Sequence, residues 1–186
     1  MWRFIIYAGM WVVIVLPWLV GAISKRVVHE IFAALGFGIA FALLILMWLG
    51  YLPPRQTSFF VALDLTGRFV AILIPVLFIA SVVALKRKGK PEHGWEHTTT
   101  LVDTGIYGII RHPVYLAGAV WSIVLILWTQ SLLPLVFGLA AAVFWWMASK
   151  EEDRFNLEKF GDEYRSYMAR VPMWNIFKGL FNLRKR

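Results

Sequence analysis

The sequence predicts an all-α integral membrane protein with about five transmembrane helices. Three observations support this prediction: the composition, the spacing of the apolar runs and the placement of the charges. Of the 186 residues, 60% are hydrophobic and 16% are charged, whereas soluble domains have roughly 45–50% apolar and about 25% charged residues. The mean hydropathy is +0.67. The chain has no cysteine, which excludes a disulfide framework, a thiol nucleophile and thiolate metal sites.

Five apolar runs are separated by short polar stretches. The runs cover residues 4–24, 31–52, 66–85, 113–128 and 132–149. The first is close to the roughly 20 residues that cross a bilayer and too long for the core of a cleaved signal, so we expect an uncleaved span. The last two are short and are separated only by "TQS". They therefore predict a tight helical hairpin.

The basic residues predict the orientation of these spans. With five spans, sixteen of the nineteen Lys and Arg residues fall on one side of the membrane. The positive-inside rule then places the N-terminus outside and the C-terminus in the cytoplasm. The formal net charge of +8 is explained by topology and anionic headgroups, and no nucleic-acid partner is predicted. Acidic residues concentrate on the same side, which predicts a three-span membrane region at 1–90 and a second region at 91–186 that carries most of the polar side chains.

The segment "RHPVY" forms the most specific motif before the hairpin. Pro113 suits the first turn of a helix, where its missing N–H has no cost. Arg111 and His112 then lie at the helix N-terminus, whose free N–H groups and dipole favour an anion. One interpretation is an interfacial arginine anchor with an incidental histidine, and the other is an anion-binding corner. In the second, a ring face, a hydroxyl and space for a ligand would come from Tyr107, Tyr115 and Gly118.

The segment "KEEDRFNLEKFGDEYRSYMARVP" follows the fifth run. Its apolar residues recur at three- and four-residue steps, which predicts an amphipathic helix against the membrane or the protein, bent at Gly161. Glu151 and Glu152 stand where the span ends, and carboxylates at that depth are costly unless they are paired or used.

The segment "HGWEH" imitates a metal site without completing one. His93 and His97 are four residues apart, with Glu96 between them. Gly94 and Pro91 disfavour the helix that would bring both imidazoles to one face, and no third ligand is evident. No metal is therefore predicted.

The order "TLVDTGIYGIIRHPVYLAG", apolar hairpin, "EEDRFNLEKFGDEYRSYMARVP" resembles the isoprenylcysteine carboxyl methyltransferase family. That family is part of a wider group of integral membrane methyltransferases that includes phospholipid N-methyltransferases. The resemblance covers about residues 97–180. It implies an S-adenosylmethionine site on the cytoplasmic side, capped by a C-terminal amphipathic helix. It also implies a lipidic or prenylated small-molecule substrate that enters from the membrane lipids.

The resemblance also implies roles for particular residues. Residues 91–186 are the implied cofactor-binding catalytic region, and Arg111 and Glu152 fall on catalytic positions in it. We place Arg111 near the reaction centre, with backbone N–H groups holding the cofactor carboxylate. Whether Arg111 binds the cofactor or the substrate stays open at this level. Counted back from "FG", the acidic pair of the family falls on Glu152 and Asp153, so the second carboxylate is one methylene shorter here. The implied cofactor-binding residues are Leu101, Gly105, Tyr107, His112, Pro113, Tyr115, Gly118, Glu151, Asp153 and Tyr164.

Several alternatives stay open at this level. The acceptor could be a prenylcysteine, a phospholipid amine, or a small apolar acid or thiol, so O-, N- and S-methylation are not separated. An NADPH-dependent membrane reductase shares a similar C-terminal architecture. A non-enzymatic membrane subunit or transporter is the third class, but it leaves the Arg–His and Glu pairs unexplained. The sequence predicts no oligomeric state.

Overall fold

The computed structural model describes residues 2–52, 58–90 and 98–185. Within these ranges the chain is helical and contains no β-strand, so the predicted all-α class is confirmed for the described part. The elements are α1 (Trp2–Ser24), α2 (Val28–Trp48), α3 (Ser58–Ala71), α4 (Leu73–Lys88), a 3-10 turn (Gly105–Gly108), α5 (Pro113–Thr129), α6 (Leu132–Phe160), α7 (Asp162–Arg170) and α8 (Ile176–Leu183).

Four helical stretches in the described ranges are long and apolar enough to cross a membrane. They are Trp2–Ser24, Val28–Trp48, Val61–Lys88 and Leu132–Phe160. The fourth predicted span corresponds to α5, which has 17 residues. At 1.5 Å per residue α5 is about 25 Å long, at the short end for a span. These helices make the chain an integral membrane protein. The total of five membrane spans stays a prediction.

The polar segment after the fifth run does not begin a new helix. The run was expected to end at residue 149, yet α6 continues without a break to Phe160. No Gly or Pro interrupts residues 150–160, so the helix persists although the sequence turns polar. Gly161, at φ +57°, ends α6, and α7 follows. The predicted break or bend at Gly161 is confirmed. The segment predicted as an amphipathic helix comprises the polar end of α6 together with α7, and its contact with a membrane stays a prediction.

By packing, the chain divides into two compact units, Met1–Ile74 with Gly118–Ala148 and Pro75–Ala117 with Ser149–Arg186. We call them the first and second unit. The predicted boundary at residue 90 concerns function and stays a prediction. In the first unit, aromatic rings pack on glycines. Trp11 donates its indole N–H to the Gly38 carbonyl over 2.7 Å, and the Trp145 ring lies against both Gly36 and Gly118.

The second unit has a small aromatic core and many polar contacts. Tyr164, Tyr167 and Val171 are buried together. Partly buried side chains of Leu101, Leu157, Phe160 and Met168 pack around them. At the start of α8, the Asn175 side chain accepts a hydrogen bond from the Lys178 N–H over 2.9 Å, as is usual for a helix N-cap. The candidate site lies entirely in this unit.

Candidate functional site

The loop that leads into α5 is fixed by the segment that follows α7. The Arg111 N–H donates to the Pro172 carbonyl over 3.0 Å, and the His112 N–H points to the Met173 carbonyl at 3.4 Å. One turn earlier, the Tyr167 hydroxyl donates to the Tyr107 carbonyl over 2.7 Å. These bonds join residues about 60 positions apart, so the loop conformation is imposed by tertiary structure.

The "RHP" motif stands at the start of α5 as predicted. Pro113 is the first residue of the helix and is fully buried. The first helical hydrogen bond into this end runs from the Leu116 N–H to the His112 carbonyl over 3.0 Å. Arg111 and His112 therefore precede the helix directly, with their side chains directed to α6.

Asp153 is the centre of the polar cluster. Its carboxylate accepts from the Arg111 guanidinium through Nε at 3.2 Å and Nη2 at 2.9 Å. It also bonds the His112 Nε2 at 2.7 Å and accepts from the Tyr164 hydroxyl over 2.7 Å. The side chain is only 6% exposed. A buried carboxylate is tolerable when it is paired and fully hydrogen-bonded, and both conditions hold here.

Arg111 is engaged on the opposite side as well. Its Nη1 donates to the Val171 carbonyl and lies 3.3 Å from the Met168 carbonyl. These two carbonyls belong to the C-terminal end of α7, where a cation interacts favourably with the helix dipole. The guanidinium thus joins α6, α7 and the loop before α5. This arrangement positions other groups and already uses most of the donors of Arg111.

His112 lies between two carboxylates. Its Nδ1 is 3.0 Å from Glu152 Oε2, and its Nε2 contacts Asp153. Burial disfavours the charged imidazolium, but the hydrogen bonds to Asp153 and Glu152 outweigh this cost and raise the pKa of His112 to about 9. The ring also stacks on Tyr115, with centroids 5.8 Å apart and planes 9° apart. His112 is therefore protonated at neutral pH, and both ring N–H groups donate.

Glu152 differs from Asp153 in its exposure. The Glu152 side chain is 33% exposed, whereas that of Asp153 is 6% exposed. Burial and the charge of Glu152 raise the pKa of the nearby Tyr107 hydroxyl above its usual range. Of the two central carboxylates, Glu152 is the one that a ligand could reach.

The tyrosines of α7 complete the inner side of the site. Burial, followed by the charge of Asp153, raises the pKa of Tyr164 above its usual range. Burial likewise raises the pKa of Tyr167. Both hydroxyls therefore stay protonated and act as donors, one to Asp153 and the other to the Tyr107 carbonyl. Leu101 packs against these two rings.

Three predicted residues lie outside this polar cluster. Glu151 pairs with Arg154 over 2.6 Å, one turn along α6. Gly118 is the sixth residue of α5, and a side chain there would meet the Trp145 ring at 2.4 Å, so the indole fills the space that was expected for a ligand. Gly105 has φ +64° and sets the turn before Tyr107. Contact of any predicted residue with a cofactor stays a prediction.

The residues of the "HGWEH" segment, His93, Glu96 and His97, lie outside the described residues. Within the described ranges, no group of three or more His, Asp or Glu side chains is arranged to hold a metal ion. The carboxylates of the cluster are instead bound by Arg111, His112 and Tyr164.

Two features of the site were missed by sequence reasoning. One is the central role of Asp153, whose short side chain departs from the family pattern but bonds Arg111, His112 and Tyr164 together. The register of the acidic pair against "FG" was the signal that pointed to it. The other is the pair of backbone carbonyls of Met168 and Val171, which accept hydrogen bonds from Arg111. Every residue has a backbone carbonyl, so the sequence does not indicate which of them binds a side chain.

Comparison with known proteins gives a consistent picture. A family model described as "Phospholipid methyltransferase" matches residues 65–163. This segment contains Arg111, His112, Glu152 and Asp153 but ends near the start of α7. The chain is also similar to proteins named protein-S-isoprenylcysteine O-methyltransferase. It is 34% identical to that of Mus musculus over 76 residues, which are 40% of this chain and 27% of the relative. No solved structure shows a significant match.

Two further relatives bear the same name. The protein of Schizosaccharomyces pombe is 35% identical over 77 residues, which are 39% of this chain and 31% of the relative. That of Homo sapiens is 33% identical over 76 residues, with 40% and 27% covered. The chain thus spans less than a third of the length of the curated relatives that it matches.

Proposed function

The chain belongs to the phospholipid methyltransferase family, and we propose that it is a membrane methyltransferase that uses S-adenosylmethionine and acts on a lipidic or membrane-partitioned acceptor. The observation that carries this proposal is the cluster of Arg111, His112, Glu152 and Asp153, which lies within the segment matched by the family. The partly exposed Glu152 side chain and the nearby tyrosine rings are suited to a ligand that carries positive charge.

The residues of the cluster fit the chemistry of the methyl donor. S-adenosylmethionine carries a carboxylate, an ammonium and a sulfonium, and when bound it supplies an electrophilic methyl group. The partly exposed carboxylate of Glu152 offers an acceptor for the ammonium. The ring faces of Tyr107 and Tyr115 offer surfaces on which a cation is stabilised. Backbone N–H groups at the start of α5 are suited to the donor carboxylate.

Arg111 acts in this proposal as a positioning residue. Its contacts with Asp153 and the end of α7 fix the two carboxylates relative to the start of α5. Direct binding of a cofactor or substrate carboxylate by Arg111 would require the guanidinium to leave these partners. Alignment of the nucleophile with the methyl group accounts for a large part of catalysis in such a displacement. A rigid frame that holds Glu152 in place would therefore favour the reaction.

The acceptor proposed first is the carboxylate of a prenylated cysteine, because the similar proteins bear that name. A carboxylate nucleophile needs no base, which agrees with a histidine that is already protonated between two carboxylates. A phospholipid amine is the second candidate, since the matched family model is described by phospholipid methylation. An amine must lose a proton before transfer, and Glu152 is the group that could accept it. The site is proposed to face the cytoplasm, in line with the distribution of basic residues.

Methyl transfer in defined bilayers tests this proposal. The purified chain is incubated with methyl-labelled S-adenosylmethionine and either a farnesylated cysteine derivative or phosphatidylethanolamine, and labelled lipid is measured. We expect label on the cysteine derivative, strongly reduced by Glu152→Gln and retained by the matched control Glu151→Gln. Label on phosphatidylethanolamine alone would favour the second candidate. Absence of transfer to both, together with NADPH binding, would favour a reductase and contradict the proposal.

A further inference from the structure

The exposed faces of the last two helices differ in character. On α7, the side chains that face solvent are charged or small, namely Asp162, Glu163, Arg165, Ser166, Ala169 and Arg170. On α8, Phe177 is 87% exposed and Phe181 is 58% exposed, and Leu180 is exposed beside them. Spacing of three and four residues places these three side chains on one face of α8. A face of two phenylalanines and a leucine is costly in water.

The orientation of this face is fixed by packing on the opposite side of α8. A side chain at Gly179 would collide with the Ile109 carbonyl, so α8 lies directly against the loop that leads to Arg111. Asn182 donates from its amide to the Arg170 carbonyl over 3.0 Å. The apolar face is therefore held outward from the second unit.

The charged residues along α8 and its flanks in the sequence are all positive. From residue 164 to residue 186 the sequence contains six Lys or Arg residues and no Asp or Glu. Lys178, Arg184 and Lys185 are exposed on α8 or directly after it, and the Lys185 ammonium lies 4.2 Å from the centre of the Phe181 ring. An amphipathic helix with aromatic residues on one face and basic residues at its flanks is typical of the boundary between lipid headgroups and acyl chains.

We propose that α8 lies in the membrane interface and binds an anionic lipid surface. Phe177, Leu180 and Phe181 enter the headgroup and acyl boundary, while the basic side chains contact anionic headgroups. The chain already crosses a membrane, and α8 lies outside residues 65–163, so the family match does not supply this surface. Because Gly179 packs on the loop at Ile109, lipid contact at α8 also holds the start of α5 at the depth of the interface.

Site-directed spin labelling tests the proposal, because the chain has no cysteine of its own. Phe177→Cys and Phe181→Cys are each labelled with a nitroxide in bilayers of phosphatidylcholine, with and without phosphatidylserine. Collision with oxygen, which concentrates in lipid, is compared with collision with a water-soluble nickel complex. Arg165→Cys on the exposed face of α7 is the matched control.

We expect oxygen to dominate at positions 177 and 181 and nickel to dominate at position 165. Added phosphatidylserine should increase the oxygen preference at 177 and 181 and leave position 165 unchanged. Nickel dominance at all three positions would overturn the proposal. So would a label shielded from both reagents, which indicates a protein partner, or one broadened by a second label, which indicates a second copy. No response to phosphatidylserine would overturn the assignment to an anionic surface. None of these outcomes depends on methyl-donor binding.

Discussion

The two units of the molecule are stabilised in different ways. In the first unit, large rings pack on glycines, as at Gly36 and Gly118 against Trp145. In the second unit, a few directional bonds join segments about 40 to 60 residues apart in sequence, and most of them end on Asp153 or Arg111.

This difference predicts different responses to substitution. A packing contact depends on shape, so its loss or crowding has a graded and local effect. A buried charged cluster depends on every partner being present, because removal of one member leaves the others buried without compensation. The second unit also carries the groups that could contact a charged ligand. Substitutions in the two units therefore test this contrast.

Loss of the Asp153 charge should have the largest effect on stability. Asp153→Asn keeps the shape of the side chain but leaves Arg111 and His112 without their shared carboxylate. Breaking a buried ion pair in this way costs about 3–5 kcal/mol, which can be measured as the free energy of unfolding in a mild detergent. The matched control is Glu151→Gln, which removes an exposed pair with Arg154 and should cost less than about 1 kcal/mol. Equal losses in the two variants would contradict a central role for Asp153.

The protonation of His112 should make stability depend on pH. Below pH 6.5, the usual pKa of histidine, the imidazole is protonated in both the folded and the unfolded chain. As the pH rises toward about 9, the unfolded chain loses this proton while the folded chain keeps it, so the free energy of unfolding decreases. The expected decrease is up to about 3 kcal/mol between pH 6.5 and pH 9.

The control for this pH effect is His112→Gln. This variant should be less stable at neutral pH, and its stability should change less between pH 6.5 and pH 9 than that of the unmodified chain. Parallel pH dependence of the two proteins would show that other groups are responsible.

Crowding of Gly118 tests the packing of the first unit. Gly118→Ala places a methyl group against the Trp145 ring, and overpacking of this kind costs about 1–3 kcal/mol. The matched control is Gly9→Ala on α1, where no other atom lies within 4 Å and alanine should be neutral or stabilising by up to about 1 kcal/mol. If the only role of Gly118 is to leave room for the Trp145 indole, the second substitution Trp145→Ala should relieve the crowding. A loss of ligand binding without a loss of stability would instead support the predicted cofactor role of Gly118.

Removal of one hydroxyl should have the smallest effect in this series. Tyr167→Phe deletes the donor to the Tyr107 carbonyl while keeping the buried ring, and one such bond contributes about 1 kcal/mol. Unfolding in detergent measures this change. A cost as large as that of Asp153→Asn would mean that the loop before α5 depends more on this bond than on the charged cluster.

Local patterns in the sequence predicted the frame of the site. Pro113 marked the start of α5, and the short "TQS" connection predicted that α5 and α6 return "RHP" and "EED" to the same end. The contacts of Arg111 and His112 with Glu152 and Asp153 confirm that pairing. The fifth apolar run ends near residue 149 whereas α6 continues to Phe160, because a change in hydropathy marks where a helix leaves an apolar environment and does not mark where the helix ends.

The remaining features depend on contacts that no local pattern encodes. Arg111 is held by carbonyls 57 and 60 residues away, and their position is set by where α7 ends. The partner of Gly118 is Trp145, on the other helix of the hairpin. A glycine in an apolar helix is compatible with a packed ring, a ligand or neither, and only the tertiary structure distinguishes among them.

Glu152 is the group proposed to contact the methyl donor. Calorimetric titration of S-adenosylmethionine into the purified chain, Glu152→Gln and Glu151→Gln compares two adjacent carboxylates of one helix. A lost hydrogen bond between charged groups costs about 1.5–3 kcal/mol, so we predict that Glu152→Gln weakens binding by roughly 10-fold or more while Glu151→Gln binds as the unmodified chain does. Equal affinity in all three proteins would contradict the assignment of this cluster as the methyl-donor site.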